Sequence, residues 1–122
     1  MLSDLSQKAR HLWRGTDSEQ RACSYLQTQG LVVVSRNYRC RYGEIDLIMR
    51  EQHWLVIVEV RYRQSANFGS ALESITAQKQ SRIITTTQHY LAQHPHAGPI
   101  RFDVVAMSGE NQIQWLKNAF QL

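Results

Sequence analysis

Cysteine, proline and long apolar runs are scarce in this chain of 122 residues, which has two cysteines, two prolines and six glycines. Cys23 and Cys40 stand far apart, without CxxC or metal-ligand spacing. That argues against a disulfide framework and for reduced thiols in a cytosolic protein. No apolar run approaches the ~20 residues that a membrane helix needs. The opening stretch MLSDLSQKARHLWRG lacks the apolar segment of a signal peptide. No repeat, low-complexity tract or linker rich in proline, glycine or serine divides the chain. One globular domain over residues 1–122 is expected, with residues 1–14 forming a short helical turn or staying frayed. The five histidines are scattered, and their spacing favours surface positions over zinc ligation.

Basic charge is present but modest: the formal net charge is +4 and the sequence pI about 9.4. Its distribution says more. RNYRCRY, Arg36 to Tyr42, holds three arginines and two tyrosines, and Arg61, Tyr62 and Arg63 make a second cluster. Arginine pairs with phosphate and tyrosine stacks on bases, so the interleaving suits a nucleic-acid surface. It suits a solvated loop with snorkelling arginines equally well.

The patterning predicts a helix that begins near Thr16, where Thr16 and Glu19 fit a capping box, and stops at Gly30. Leu31–Asn37 reads as a buried strand, followed by a basic turn. EIDLIMR and WLVIVEVRYR read as two further strands joined by a tight hairpin at Glu51-Gln52-His53. A loop is expected over 64–74, and then a helix carrying Ile83, Ile84, Thr87, Tyr90 and Leu91, bounded by Pro95. IRFDVVAM is a fourth strand and IQWLK a short fifth. Short turns make the first strands antiparallel, and the intervening helix makes the third and fourth parallel. The fold class is therefore α/β, a mixed sheet flanked by helices.

Three acids, Glu44, Asp46 and Glu59, interrupt the apolar second and third strands. Side chains alternate along a strand, which groups Glu44, Asp46 and Ile48 against Ile45, Leu47 and Met49. A hairpin closed symmetrically about Gln52 and His53 sets Asp46 across from Glu59, Glu44 across from Arg61, and Ile48 across from Ile57. Facing carboxylates repel unless one holds a proton, an arginine pairs with them, or a hard cation such as Mg²⁺ or Mn²⁺ lies between. Ile48, Leu55 and Ile57 share the face, so a wholly solvated arrangement fits poorly. Arg101 and Asp103 share a face of the fourth strand and are expected to pair structurally.

A strand acid, a hairpin and then an acid followed two residues later by a cation resembles the PD-(D/E)xK pattern of restriction-endonuclease-like nucleases, whose core order is αβββαβ. More closely, "EQRACSYL", "RNYR", "GEIDLIM", "VEVRYR", "FGSALESI", "QKQSRI" and "RFDVV" resemble the YraN family of small bacterial proteins, related to Holliday junction resolvases. The resemblance implies a metal-dependent endonuclease acting on DNA, at branched recombination or repair intermediates. It implies Mg²⁺ or Mn²⁺ held by Asp46 and Glu59, with Glu19 completing the site. It implies phosphate contacts at Lys79 and Arg82, and, by analogy with resolvases, a homodimer. Arg36, Arg39, Arg41 and Arg63 are the further candidates for the nucleic-acid backbone. Arg61 stands where the superfamily pattern has lysine. Arginine stays protonated and cannot act as a base, but can stabilise charge on phosphorus. The alternative reading is a non-catalytic nucleic-acid-binding module that keeps the nuclease fold. A third is a protein-interaction subunit without a nucleic-acid role.

Overall fold

In the computed structural model, residues 17–63, 72–109 and 112–121 are described. Helix α1 covers 17–28. Thr16, the expected cap, lies outside the described residues. The C-terminal end follows the expectation closely. Gly30 takes φ +99, its N–H donates to Gln27 O (3.1 Å), and Leu31 N–H donates to Leu26 O (3.1 Å). This is a Schellman turn, and its usual apolar contact is supplied by Leu26 and Leu31, both buried.

Strand β1 (Val32–Cys40) pairs with β2 (Gly43–Glu51), so the arginine-rich run is strand and not the basic turn expected. Only Arg41 and Tyr42 lie between the two strands. The reason is Tyr38, which packs edge-on against Tyr90 at 5.1 Å and anchors the run to the core. Strand β3 (Trp54–Arg63) closes the β2–β3 hairpin through Gln52, at φ +55, and His53. The pairs run from Glu51↔Trp54 through Ile48↔Ile57 to Leu47↔Val58, the register expected.

Helix α2 (Ala77–Gln93) starts at Thr76, whose hydroxyl accepts from Lys79 N–H, and ends ahead of Pro95. It leads to β4 (Ile100–Ser108), which lies parallel to β3 from Leu55↔Ile100 to Arg63↔Ser108. Strand β5 (Gln112–Phe120) is antiparallel to β4 and longer than the expected IQWLK, because Phe120 stacks on Phe102 at 5.0 Å. The sheet order is β1-β2-β3-β4-β5, a mixed five-stranded sheet with the helix, three strands, helix, strand order anticipated. The expected loop at 64–74 lies mostly outside the described residues.

Both faces of the sheet carry core. Ala22, Cys23 and Leu26 of α1 belong with Leu47, Met49, Val56, Val58, Val105 and Met107 on one side. Ile83 and Tyr90 of α2 belong with Ile48, Leu55, Ile57, Phe102 and Val104 on the other. Thr86 and Thr87 are buried in α2 but satisfied, each hydroxyl donating to the carbonyl four residues back.

Arg101 and Asp103 pair as expected. Asp103 is fully buried and accepts from Arg101 Nε and Nη2 (2.8 and 2.9 Å), Trp115 Nε1 (2.8 Å) and the backbone N–H of Asn118 (3.0 Å). Asn118 has φ +54 where the β4–β5 register shifts, so Asp103 satisfies a donor that the ladder leaves out. Arg101 Nη1 donates to Glu51 (2.9 Å), which ties the far end of β2 into the same network. Among the described residues no helix is long and apolar enough to cross a membrane.

Candidate metal and phosphate site

The β2–β3 ladder ends at Leu47↔Val58, and the two ladder pairs expected beyond it do not form. Instead Val60 N–H donates to Asp46 Oδ2 at 2.9 Å, so a side chain replaces the backbone partner. Glu44 does not face Arg61. It lies across β1 from Arg39 and pairs with it at 3.4 Å. The strict alternation expected along β2 also fails here. Ile45 packs with Ile48 on the α2 side, while Leu47 and Met49 pack on the α1 side. The slip falls at Asp46. Across β1, between Arg36↔Leu47 and Tyr38↔Ile45, sits Asn37 with φ +52. A local kink in two neighbouring strands thus leaves Asp46 between the sheet's two layers.

From that position Asp46 reaches acids of both layers. It is hydrogen-bonded to Glu19 of α1 and to Glu59 of β3. Carboxylate oxygens of Glu19, Glu44 and Asp46 lie within 4.8 Å of one another. Burial, then the negative charge and hydrogen bond of Asp46, push Glu19 up to about 7, against a hydrogen bond from Asn37 that lowers it. Glu59 is 4% exposed, and the same causes hold it well above the ordinary carboxylate range, with the Arg61 charge opposing them. Carboxyl–carboxylate hydrogen bonds need a shared proton, and burial favours keeping it on Glu59.

Beside the acids opens a cleft of about 370 Å³. Its walls are Gly43, Glu44 and Asp46 of β2, Glu59 and Arg61 of β3, and Lys79, Arg82 and Ile83 of α2. Gly43 has φ +154, and a Cβ there would come within 3.0 Å of Thr86 Oγ1, so glycine lets β2 pass close under α2. Arg61 Nε is buried and has no hydrogen-bond partner among the described residues. The donor set fits a hard divalent cation: carboxylate oxygens of Glu19 from α1 and of Glu44 and Asp46 from β2, with Glu59 of β3 beside Asp46 and room for water on the cleft side.

Of the site residues expected from the sequence, Glu19, Asp46, Glu59, Arg61 and Lys79 come together here. Arg36, Arg39 and Arg41 do not line the cleft. Arg36 donates to Gln20 (2.8 Å) and Cys23 Sγ (3.1 Å), Arg39 pairs with Glu44, and Arg41 donates to Tyr42 OH (2.6 Å). The Arg63 side chain lies outside the described residues. Sequence reasoning set Glu44 on one face with Asp46 but across from Arg61 and outside the ligand set, and it did not link Asn37 to Glu19. The one signal for Asn37 is its residue type, since asparagine tolerates positive φ better than most.

A profile of the "Uncharacterised protein family UPF0102" matches residues 18–107. The chain belongs to that family. UPF0102 relatives include a Nitrosomonas europaea protein 57% identical over 109 residues, covering 88% of this chain and 92% of its own length. A Nitrosococcus oceani protein is 49% identical over 119 residues, covering 93% and 96%. One from Legionella pneumophila is 52% identical over 110 residues, covering 88% and 93%. The UPF0102 match starts one residue before Glu19 and takes in every acid and cation of the cleft, while β5 falls beyond it.

Proposed function

We propose that this UPF0102 protein is a metal-dependent nuclease that hydrolyses DNA phosphodiesters, with branched recombination or repair intermediates as the substrate class. The observation that carries the reading is the acid group at the fork of β2 and β3, opening on a cleft whose opposite wall is cationic. Asp46, Glu19 and Glu44 would hold Mg²⁺ or Mn²⁺, and Glu59 would join them on giving up its proton. A bound divalent ion supplies Lewis acidity toward the phosphate and a lowered pKa for water. The remaining work falls to the chain's own groups. Arg61 cannot take the proton of the attacking water, because guanidinium stays protonated. Its part is to offset negative charge as it grows on the phosphoryl oxygens. Val60 N–H fixes the Asp46 carboxylate, and Asn37 steadies Glu19.

Arg61 in the place of lysine favours one other reading, a nucleic-acid-binding module without cleavage. Branched and linear DNA incubated with Mg²⁺ or Mn²⁺, beside Asp46→Ala, separates the two. Cleavage that the variant lacks supports the nuclease. Binding without cleavage of any substrate supports the module.

A further inference from the structure

The cations of this chain divide by whether their donors are already spent. On β1, Arg36 is engaged by Gln20 and Cys23, Arg39 by Glu44, and Arg41 by Tyr42, on whose ring it also lies at 4.8 Å. On the cleft's other wall the situation is reversed. Lys79 and Arg82 are exposed, and neither side chain has a hydrogen bond or ion pair among the described residues. Arg61 Nε is buried beside them with no acceptor among the described residues. A buried N–H without a partner is costly, so this one calls for an acceptor in the cleft. The acids cluster toward β2, and an anion entering the same space is driven to the α2 side.

We propose that Arg61, Lys79 and Arg82 form an anion seat that grips a phosphodiester of nucleic acid without metal, and that this wall, not the basic run of β1, carries the hold on the backbone. Arg61 presents Nε–H to one phosphoryl oxygen from below, while Lys79 and Arg82 approach from consecutive turns of α2. Guanidinium forks orient the phosphate and the ammonium adds a point charge. The inference takes its choice of anion from the nuclease reading, but needs no cleavage and no cation.

The test is fluorescence anisotropy of a labelled oligothymidylate with the full chain in EDTA at low salt. Lys79→Gln with Arg82→Gln should weaken binding at least about tenfold and lower the salt slope by roughly 1 to 2. The triple change Arg36→Gln, Arg39→Gln and Arg41→Gln should alter it less than about threefold. The Arg61 Nε–Hε resonance, assigned by its loss in Arg61→Lys, should shift with the oligonucleotide. A smaller shift with inorganic phosphate would show that the phosphoryl group itself is recognised. The inference is overturned if the α2 pair binds like the unaltered chain, if the β1 triple loses more, or if the unaltered chain binds nothing in EDTA. In each of those cases Mg²⁺-dependent cleavage still stands or falls by the Asp46→Ala comparison. Conversely, a chain that grips the oligonucleotide in EDTA yet never cleaves keeps the seat and loses the nuclease.

Discussion

The backbone N–H of Val60 donates to Asp46 Oδ2 at 2.9 Å, where a regular hairpin would have used a carbonyl. This bond lets β2 and β3 part without orphaning a donor, and it fixes the carboxylate that reaches half-buried Glu19 and buried Glu59. Asp46→Asn keeps an acceptor for Val60 but removes a charge. In EDTA near pH 8 it should be at least as stable as the unaltered chain, because the repulsion on Glu19 and Glu59 is relieved. The rise in melting temperature with Mn²⁺ should disappear. Cleavage should fall by roughly 10²-fold or more. Asp46→Ala also strands the N–H, at about 1–3 kcal/mol. Melting curves of both variants with and without Mn²⁺ check this, and an unchanged Mn²⁺ response in Asp46→Asn would count against the site.

A pH dependence follows from the raised acids. Glu19 moves from its ordinary 4.5 to about 7, and Glu59 moves in the same direction. Between those values the folded chain holds protons that the unfolded chain has released. The contribution to stability is therefore complete below about pH 4.5 and is lost as pH rises through about 7. The metal-free melting temperature should carry this downward component from about pH 5 to pH 8, and Glu19→Gln should flatten it. Mn²⁺ should restore stability most at the alkaline end, since it competes with those protons. Thermal melts across pH, in EDTA and in Mn²⁺, give the comparison.

Arg101 donates through three nitrogens to Asp103 and Glu51 and is itself buried. Asp103→Ala leaves that cation without its main partner and Asn118 N–H without an acceptor. The expected loss is about 3–5 kcal/mol in urea unfolding. Asp103→Asn, which retains an acceptor, should lose less. Neither change touches the cleft, so nucleic-acid affinity of the folded protein should hold.

Gly43→Ala combines an unfavourable φ with the approach to Thr86. It should cost about 1–3 kcal/mol. Adding Thr86→Ala removes the close contact but not the backbone strain, so the double variant should recover part of the loss. Equal stability of the single variant and the unaltered chain would contradict the geometry.

Much of this arrangement is legible in the sequence where one rule acts alone. The register of β2 on β3 follows from a single polar break at Gln52 and His53, and the end of α1 from Gly30 ahead of Leu31. The fork is not legible in the same way. Alternation assumes an uninterrupted ladder, and at Asp46 a side chain intervenes, which moves Ile45 to the other layer and sends Glu44 to Arg39. The β1 arginines read as a turn because their charge masks Tyr38, whose partner Tyr90 lies far along the chain. The added length of β5 likewise depends on Phe120 finding Phe102, a contact between distant residues that no local pattern announces. Counting set Asp46 and Glu59 at a ladder pair that does not form, and the two acids meet through the slip instead.

The Gly30 turn fixes how α1 is hung from β1, and Glu19 rides on that helix while its fellow acids belong to the sheet. Electrostatic strain therefore gathers along one seam, where helix meets strand, instead of inside the hydrogen-bonded ladder. Divalent ions would fasten that seam like a clasp, and amide exchange along 17–28 would slow on their arrival more than exchange in β3 or β4.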